Sequence, residues 1–105
     1  MQQQQPPKEQ QIEVELTPDV AEGVYSNLAI ITHSNAEFII DFINMMPGKP
    51  KANVKSRIIL TPQHAKRLMA ALNDNIAKFE TQFGKVTEGA QQGNTIKFAM
   101  PTAQA

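Results

Sequence analysis

Residues 24–46 read VYSNLAIITHSNAEFIIDFINMM, two apolar runs on either side of Ser34-Asn35. β-branched and aromatic residues fill both runs, no proline interrupts them, and Ser-Asn is turn chemistry, so the stretch reads as an antiparallel hairpin. With Ser34-Asn35 as a two-residue turn, Tyr25, Ala29 and Ile31 share a face with Phe38, Ile40 and Phe42. Val24, Leu28, Ile30, Ile39 and Ile43 fall on the opposite face, together with the carboxylates of Glu37 and Asp41.

The neighbouring segments extend this hairpin. Pro47-Gly48-Lys49-Pro50 is a loop signal, and the run from Val54 to Leu60 that follows reads as a further strand of a meander. It adds Val54, Ile58 and Leu60 to the apolar face and Lys55, Arg57 and Ile59 to the mixed one. Upstream, Ile12, Val14 and Leu16 alternate with Glu13 and Glu15 until Thr17-Pro18-Asp19, the pattern of a half-exposed strand.

Downstream, Thr61-Pro62 is an N-cap followed by proline at the first helical position. Ala65, Met69, Leu72, Ile76, Phe79 and Phe83 then recur at alternating spacings of four and three, with Leu68 widening the stripe. Gly84 suits the C-terminal cap, and Lys85 stands beside the negative end of the dipole. A helix of about 22 residues is roughly 33 Å long. That exceeds what a strand needs as cover, which leaves part of the stripe for another subunit. The expected fold is α+β: an antiparallel sheet of about four strands, arranged as a meander and packed by one long C-terminal helix.

This single domain is expected over residues 12–86. Residues 1–11, six of them Gln, bury too little apolar surface to offset their ordering entropy and read as a disordered arm. Residues 87–105 read as a flexible tail, with one alternating stretch, Thr95-Ile96-Lys97-Phe98-Ala99-Met100. There is no Cys, so disulfides, thiol catalysis and cysteine metal sites are excluded. The first residues carry neither a basic nor an apolar targeting region, and no window reaches a membrane span. A cytoplasmic bacterial protein without membrane contact is expected.

The formal net charge is zero, yet the charges are sorted. Residues 1–48 hold seven acids (Glu9, Glu13, Glu15, Asp19, Glu22, Glu37, Asp41) against Lys8. Residues 49–73 hold six bases (Lys49, Lys51, Lys55, Arg57, Lys66, Arg67), His64 and no acid. Part of this sorting has a structural reading, in which Lys55 and Arg57 pair with Glu37 and Asp41 across the ladder. Lys49, Lys51, His64, Lys66 and Arg67 remain as candidate partner contacts, with an anion or nucleic-acid backbone as the alternative ligand. No aromatic residues interleave with these bases, so nucleic acid is not favoured.

A search for catalytic chemistry gives nothing. His33 and His64 make no metal-ligand spacing with each other or with a carboxylate, and Ser26, Ser34 and Ser56 stand outside any nucleophile elbow. Glu37 and Asp41, four apart on a strand, are about 13 Å from each other, too far for a carboxylate pair. The glycines form no phosphate-cradling run. No enzyme activity, cofactor or metal is expected.

The series Gly23-Val24-Tyr25-Ser26-Asn27-Leu28, Thr32-His33-Ser34, Glu37-Phe38-Ile39-Ile40-Asp41-Phe42 and Arg57-Ile58-Ile59-Leu60-Thr61-Pro62-Gln63-His64-Ala65-Lys66-Arg67-Leu68 resembles a bacterial family known as domain of unknown function 3467. Asn75-Ile76, Phe79-Glu80 and Phe83-Gly84 look like that family's helix, and the resemblance covers residues 12–86. It implies no catalytic residues. The layout also resembles SecB-like export chaperones at the level of fold alone.

The functional expectation is a non-catalytic homo-oligomeric assembly or protein-interaction module. Leu28, Ile30, Ile39, Ile43 and Ile59 are its expected oligomer interface, because a single helix covers one sheet face and leaves the other apolar. Two alternatives are an accessory factor of the transcription machinery, contacting RNA polymerase or nucleic acid through residues 49–67, and a SecB-like binder of extended peptides.

Overall fold

The computed structural model describes residues 10–88. A four-residue helix α1 (Pro18–Ala21) precedes three strands, β1 (Leu28–His33), β2 (Phe38–Ile43) and β3 (Val54–Leu60), and a long helix α2 (Pro62–Phe83) ends the fold. The strands form one antiparallel sheet in the order β1-β2-β3, so the α+β class and the meander are as expected.

The hairpin closes one residue later than the turn signal suggested. His33 pairs with Phe38, and the Ser34 amide donates to the Glu37 carbonyl at 2.9 Å, leaving Asn35-Ala36 as the loop. Ser34 Oγ accepts from the amides of Ala36 and Glu37, both at 3.2 Å. The side chain thus turns the chain by itself and moves the bend past Ser34. Relative to the expected register the slide is two residues, and because side chains alternate with period two, the residues of β1 and β2 keep their faces; Val54, expected beside Ile58 and Leu60, instead pairs with Ile43 of the mixed face beyond a bulge. Ile31, Ile40 and Ile58 line up on one face, and Ile30, Asp41 and Arg57 on the other.

At its open end the β1–β2 ladder is prolonged by side chains. Asn27 Nδ2 donates to the Met45 carbonyl at 2.9 Å while its Oδ1 accepts from the Met45 amide at 2.7 Å. One carboxamide thus stands in for a backbone rung. Ser26 Oγ lies 2.9 Å from the Leu28 carbonyl oxygen and 3.0 Å from that of Ile43, which fixes the entry to β1. A bulge between Phe42 and Ile43 shifts the pairing with β3, so that Ser56 faces Phe42 and Val54 faces Ile43.

Two expectations about the architecture are corrected. Among the described residues the sheet has three strands rather than about four, and the alternating stretch 95–100 lies outside them. Residues 12–16 have strand-like alternation but pair with nothing among the described residues, and Ile12, Val14 and Leu16 are exposed. A strand exists only where its backbone groups find a neighbour, and the outer edges of β1 and β3 pair with no other strand among the described residues.

The second correction concerns α2, which does not pack across the sheet. Thr61 caps it as expected, its hydroxyl accepting from the His64 amide at 3.1 Å. Gly84 caps the far end at φ +96°, its amide donating to the Glu80 carbonyl at 2.9 Å. No residue of α2 is buried, and only Pro62, Ala65 and Glu80 are half-buried. Thr61 alone links β3 to α2, whereas a helix that returns over its own sheet needs a reversal of several residues. Among the described residues the buried core is therefore small: Ile40, Ile43 and Leu60, with Asp41 among them.

Candidate interaction surfaces

The middle rung of the mixed face holds the one charge buried among the described residues. Asp41 is 1% exposed. Arg57, its partner on β3, meets it with a fork: Nε to Oδ1 at 2.6 Å and Nη2 to Oδ2 at 2.9 Å. These hydrogen bonds hold the Asp41 carboxyl below its ordinary range, outweighing burial, which acts in the other direction. The Arg57 guanidinium is pushed up by the same contact. The sheet therefore carries a satisfied ion pair in place of a fourth aliphatic contact.

The companion pairing expected for Glu37 and Lys55 does not form. Glu37 precedes β2 at the hairpin end, while Lys55 sits at the bulge beside Ile43, the far end of the same strand. Six residues of strand separate those levels, about 20 Å. Among the described residues the second ion pair is Lys78–Asp74 at 3.0 Å, one turn apart on the exposed side of α2.

The basic segment is divided by β3. Lys49 and Lys51 lie in the loop before β3, and His64, Lys66 and Arg67 in the first turns of α2 after it, all of them exposed. The two groups stand at opposite ends of a seven-residue strand, about 23 Å long. His33 stacks on Phe38 at 5.4 Å between ring centroids, a cross-strand contact that closes the hairpin. Among the described residues no cluster of His, Asp or Glu could hold a metal ion, and no helix is long and apolar enough to cross a membrane.

Of the residues expected at an oligomer interface, Leu28, Ile30 and Ile39 are half-buried, Ile43 is buried and Ile59 is exposed. The larger apolar surface is on α2. Met69, Leu72, Ile76, Phe79 and Phe83 are all exposed, and Leu68 stands beside them. The rings of Phe79 and Phe83 touch each other, centroids 5.0 Å apart. Beyond what covers the sheet, part of this stripe is expected to remain for another subunit, although the residues named for the expected interface all lie on the sheet. The signal that separates the two uses was present, because Ala65, Leu72, Phe79 and Met69, Ile76, Phe83 are two series spaced by seven, the repeat of a helix–helix seam.

No curated protein and no solved structure matches this chain. One family model does, over residues 1–88, a span that holds the Ser26–Asn27 clasp, the Asp41–Arg57 rung and the whole of α2. The chain belongs to the family described as protein of unknown function (DUF3467).

Proposed function

We propose that the protein is a non-catalytic assembly module that associates with copies of itself and presents a surface to a protein partner. The observation that carries this reading is the exposure of α2: a 22-residue helix with an aromatic and aliphatic stripe and no buried residue. A monomer that leaves such a stripe in water, beside a sheet whose outer edges are unpaired among the described residues, gains from covering it. Multi-angle light scattering at micromolar to tens of micromolar concentration tests the reading. A dimer or larger species is expected. A species of 11.6 kDa throughout that range would overturn self-association.

Contact with RNA polymerase or nucleic acid would draw on the exposed Lys49, Lys51, Lys66 and Arg67, but their division by β3 works against one continuous anionic ligand. Salt-sensitive retention on heparin would support it. Capture of extended peptides would draw on the open edges and on Ile31 and Ile58, both exposed. Binding of reduced, unfolded clients by the assembled protein would support that instead.

A further inference from the structure

We infer that α2 pairs with α2 of a second copy, antiparallel, about a two-fold axis at the level of Asp74. This rests on the self-association proposed above and names its interface. Three observations carry it. The stripe is exposed from Met69 to Phe83, with Ala65 half-buried at its start. It follows a strict repeat of seven, which keeps a seam facing a partner helix over several turns. And it is complementary to itself in only one of the two orientations.

In the antiparallel orientation Ala65 lies opposite Phe83 of the partner subunit, Met69 opposite Phe79 of the partner subunit and Leu72 opposite Ile76 of the partner subunit. The two-fold axis repeats each layer, so every stripe residue finds a place and small side chains meet large ones. A parallel pair would set Ala65 against its own copy at one end and Phe83 against its own copy at the other. Such a seam gapes at one end and is overfilled at the other.

The flanking residues choose the same orientation. Lys66, Asn73 and Glu80 border one side of the stripe; Leu68, Asn75 and Gln82 border the other. Antiparallel helices bring like flanks together, which places Lys66 beside Glu80 of the partner subunit, twice in the dimer. Parallel helices bring unlike flanks together and make no ion pair. Glu80 is free to serve: its Oε2 accepts from the Val86 amide at 2.9 Å, which leaves Oε1 for a lysine. The Lys78–Asp74 pair points away from the seam and stays within its own helix. A two-fold contact of this kind is closed, so each copy uses its stripe once.

The chain has no Cys, so a single spin label at Gln63→Cys reports the orientation directly. Antiparallel pairing separates the two labels by about 22 residues of helical rise, roughly 33 Å, whereas parallel pairing holds them at one level, about 20 Å apart. Sedimentation then reads the interface. Leu72→Lys should abolish the dimer, and because Leu72 is exposed in the monomer the sheet should stay folded by circular dichroism. Lys66→Glu should weaken dimerisation about tenfold, and the exchange Lys66→Glu with Glu80→Lys should restore it. A native chain that is monomeric sinks both the pairing and the self-association beneath it. A native oligomer that survives Leu72→Lys, or whose labels lie within about 20 Å of each other, overturns the helix pairing and leaves self-association standing.

Discussion

Arg57 and Asp41 face each other across β2 and β3 with two hydrogen bonds, 2.6 and 2.9 Å, at the centre of a sheet whose other buried residues are Ile40, Ile43 and Leu60. A charge in so small a core fixes the alignment of the two strands, because any slide leaves the Asp41 carboxylate without its counterion.

The pairing gives stability a defined dependence on pH. Folding depresses the Asp41 pKa below its ordinary value of 3.8, so between the two values the unfolded chain binds the proton and the folded chain does not. The stabilisation is complete above the unfolded value and is lost as pH falls through the folded one. The contribution of Asp41 should not vary with pH near neutrality, and stability should fall below about pH 4. Asp41→Asn should cost about 2 kcal/mol at pH 7 and remove this acid limb. An Asp41→Asn protein with an unchanged acid limb would assign the effect to other carboxylates.

Asn27 makes a rung of the ladder with its side chain, and two hydrogen bonds depend on it. Asn27→Ala should cost about 1–2 kcal/mol, with the Met45 amide among those whose hydrogen exchange accelerates most. Asn27→Asp keeps the acceptor but sets a carboxylate oxygen against the Met45 carbonyl in place of the donor, so it should cost at least as much as Asn27→Ala. If the Met45 amide exchanges at the native rate in Asn27→Ala, the rung has another source.

Local chemistry and periodicity made much of this architecture legible. Thr61-Pro62 and Gly84 are capping residues whose action involves their own neighbours, and α2 begins and ends where they stand. Alternation placed Ile31, Ile40 and Ile58 on one face even though the turn was set one residue early, since a two-residue slide preserves the pleat. What periodicity does not encode is which surface a stripe meets. The pattern in residues 12–16 is that of a strand, and the pattern in α2 is that of a packed helix, yet neither finds a partner within the described chain. Lys55 and Glu37 were matched by charge and face, but their levels along the sheet depend on the hairpin register and the bulge, which are tertiary facts.

The expected interface residues divide by burial, and their substitutions should divide accordingly. Ile43 is 4% exposed, so Ile43→Ala should cost about 2–4 kcal/mol of folding stability. Ile59 is 55% exposed, so Ile59→Lys should leave the melting temperature within a few degrees. Chemical denaturation of the two variants under conditions of matched concentration separates these outcomes. A large loss in Ile59→Lys would mean that Ile59 is covered in the assembled protein and that assembly holds the fold together.

Lys55 and Arg57, equivalent in sequence as two bases on one strand face, should behave differently when neutralised. Lys55 is exposed at the bulge and has no acid across the ladder, so Lys55→Gln should leave the melting temperature unchanged. Arg57→Gln removes the fork that both covers and neutralises Asp41. A buried carboxylate without a counterion prefers its protonated form, so the folded-state pKa should move up toward or past the unfolded value. The sign of the linkage then changes: a raised folded pKa contributes stability that is present at low pH and lost as pH rises through it. Melting temperatures of Arg57→Gln measured from pH 3 to pH 7 should therefore show the acid limb of the native protein flattened or inverted, on top of a general loss of several degrees at pH 7. Retention of the native acid limb in Arg57→Gln would mean that Asp41 is held ionised by something other than Arg57, and the central rung would have to be reassigned.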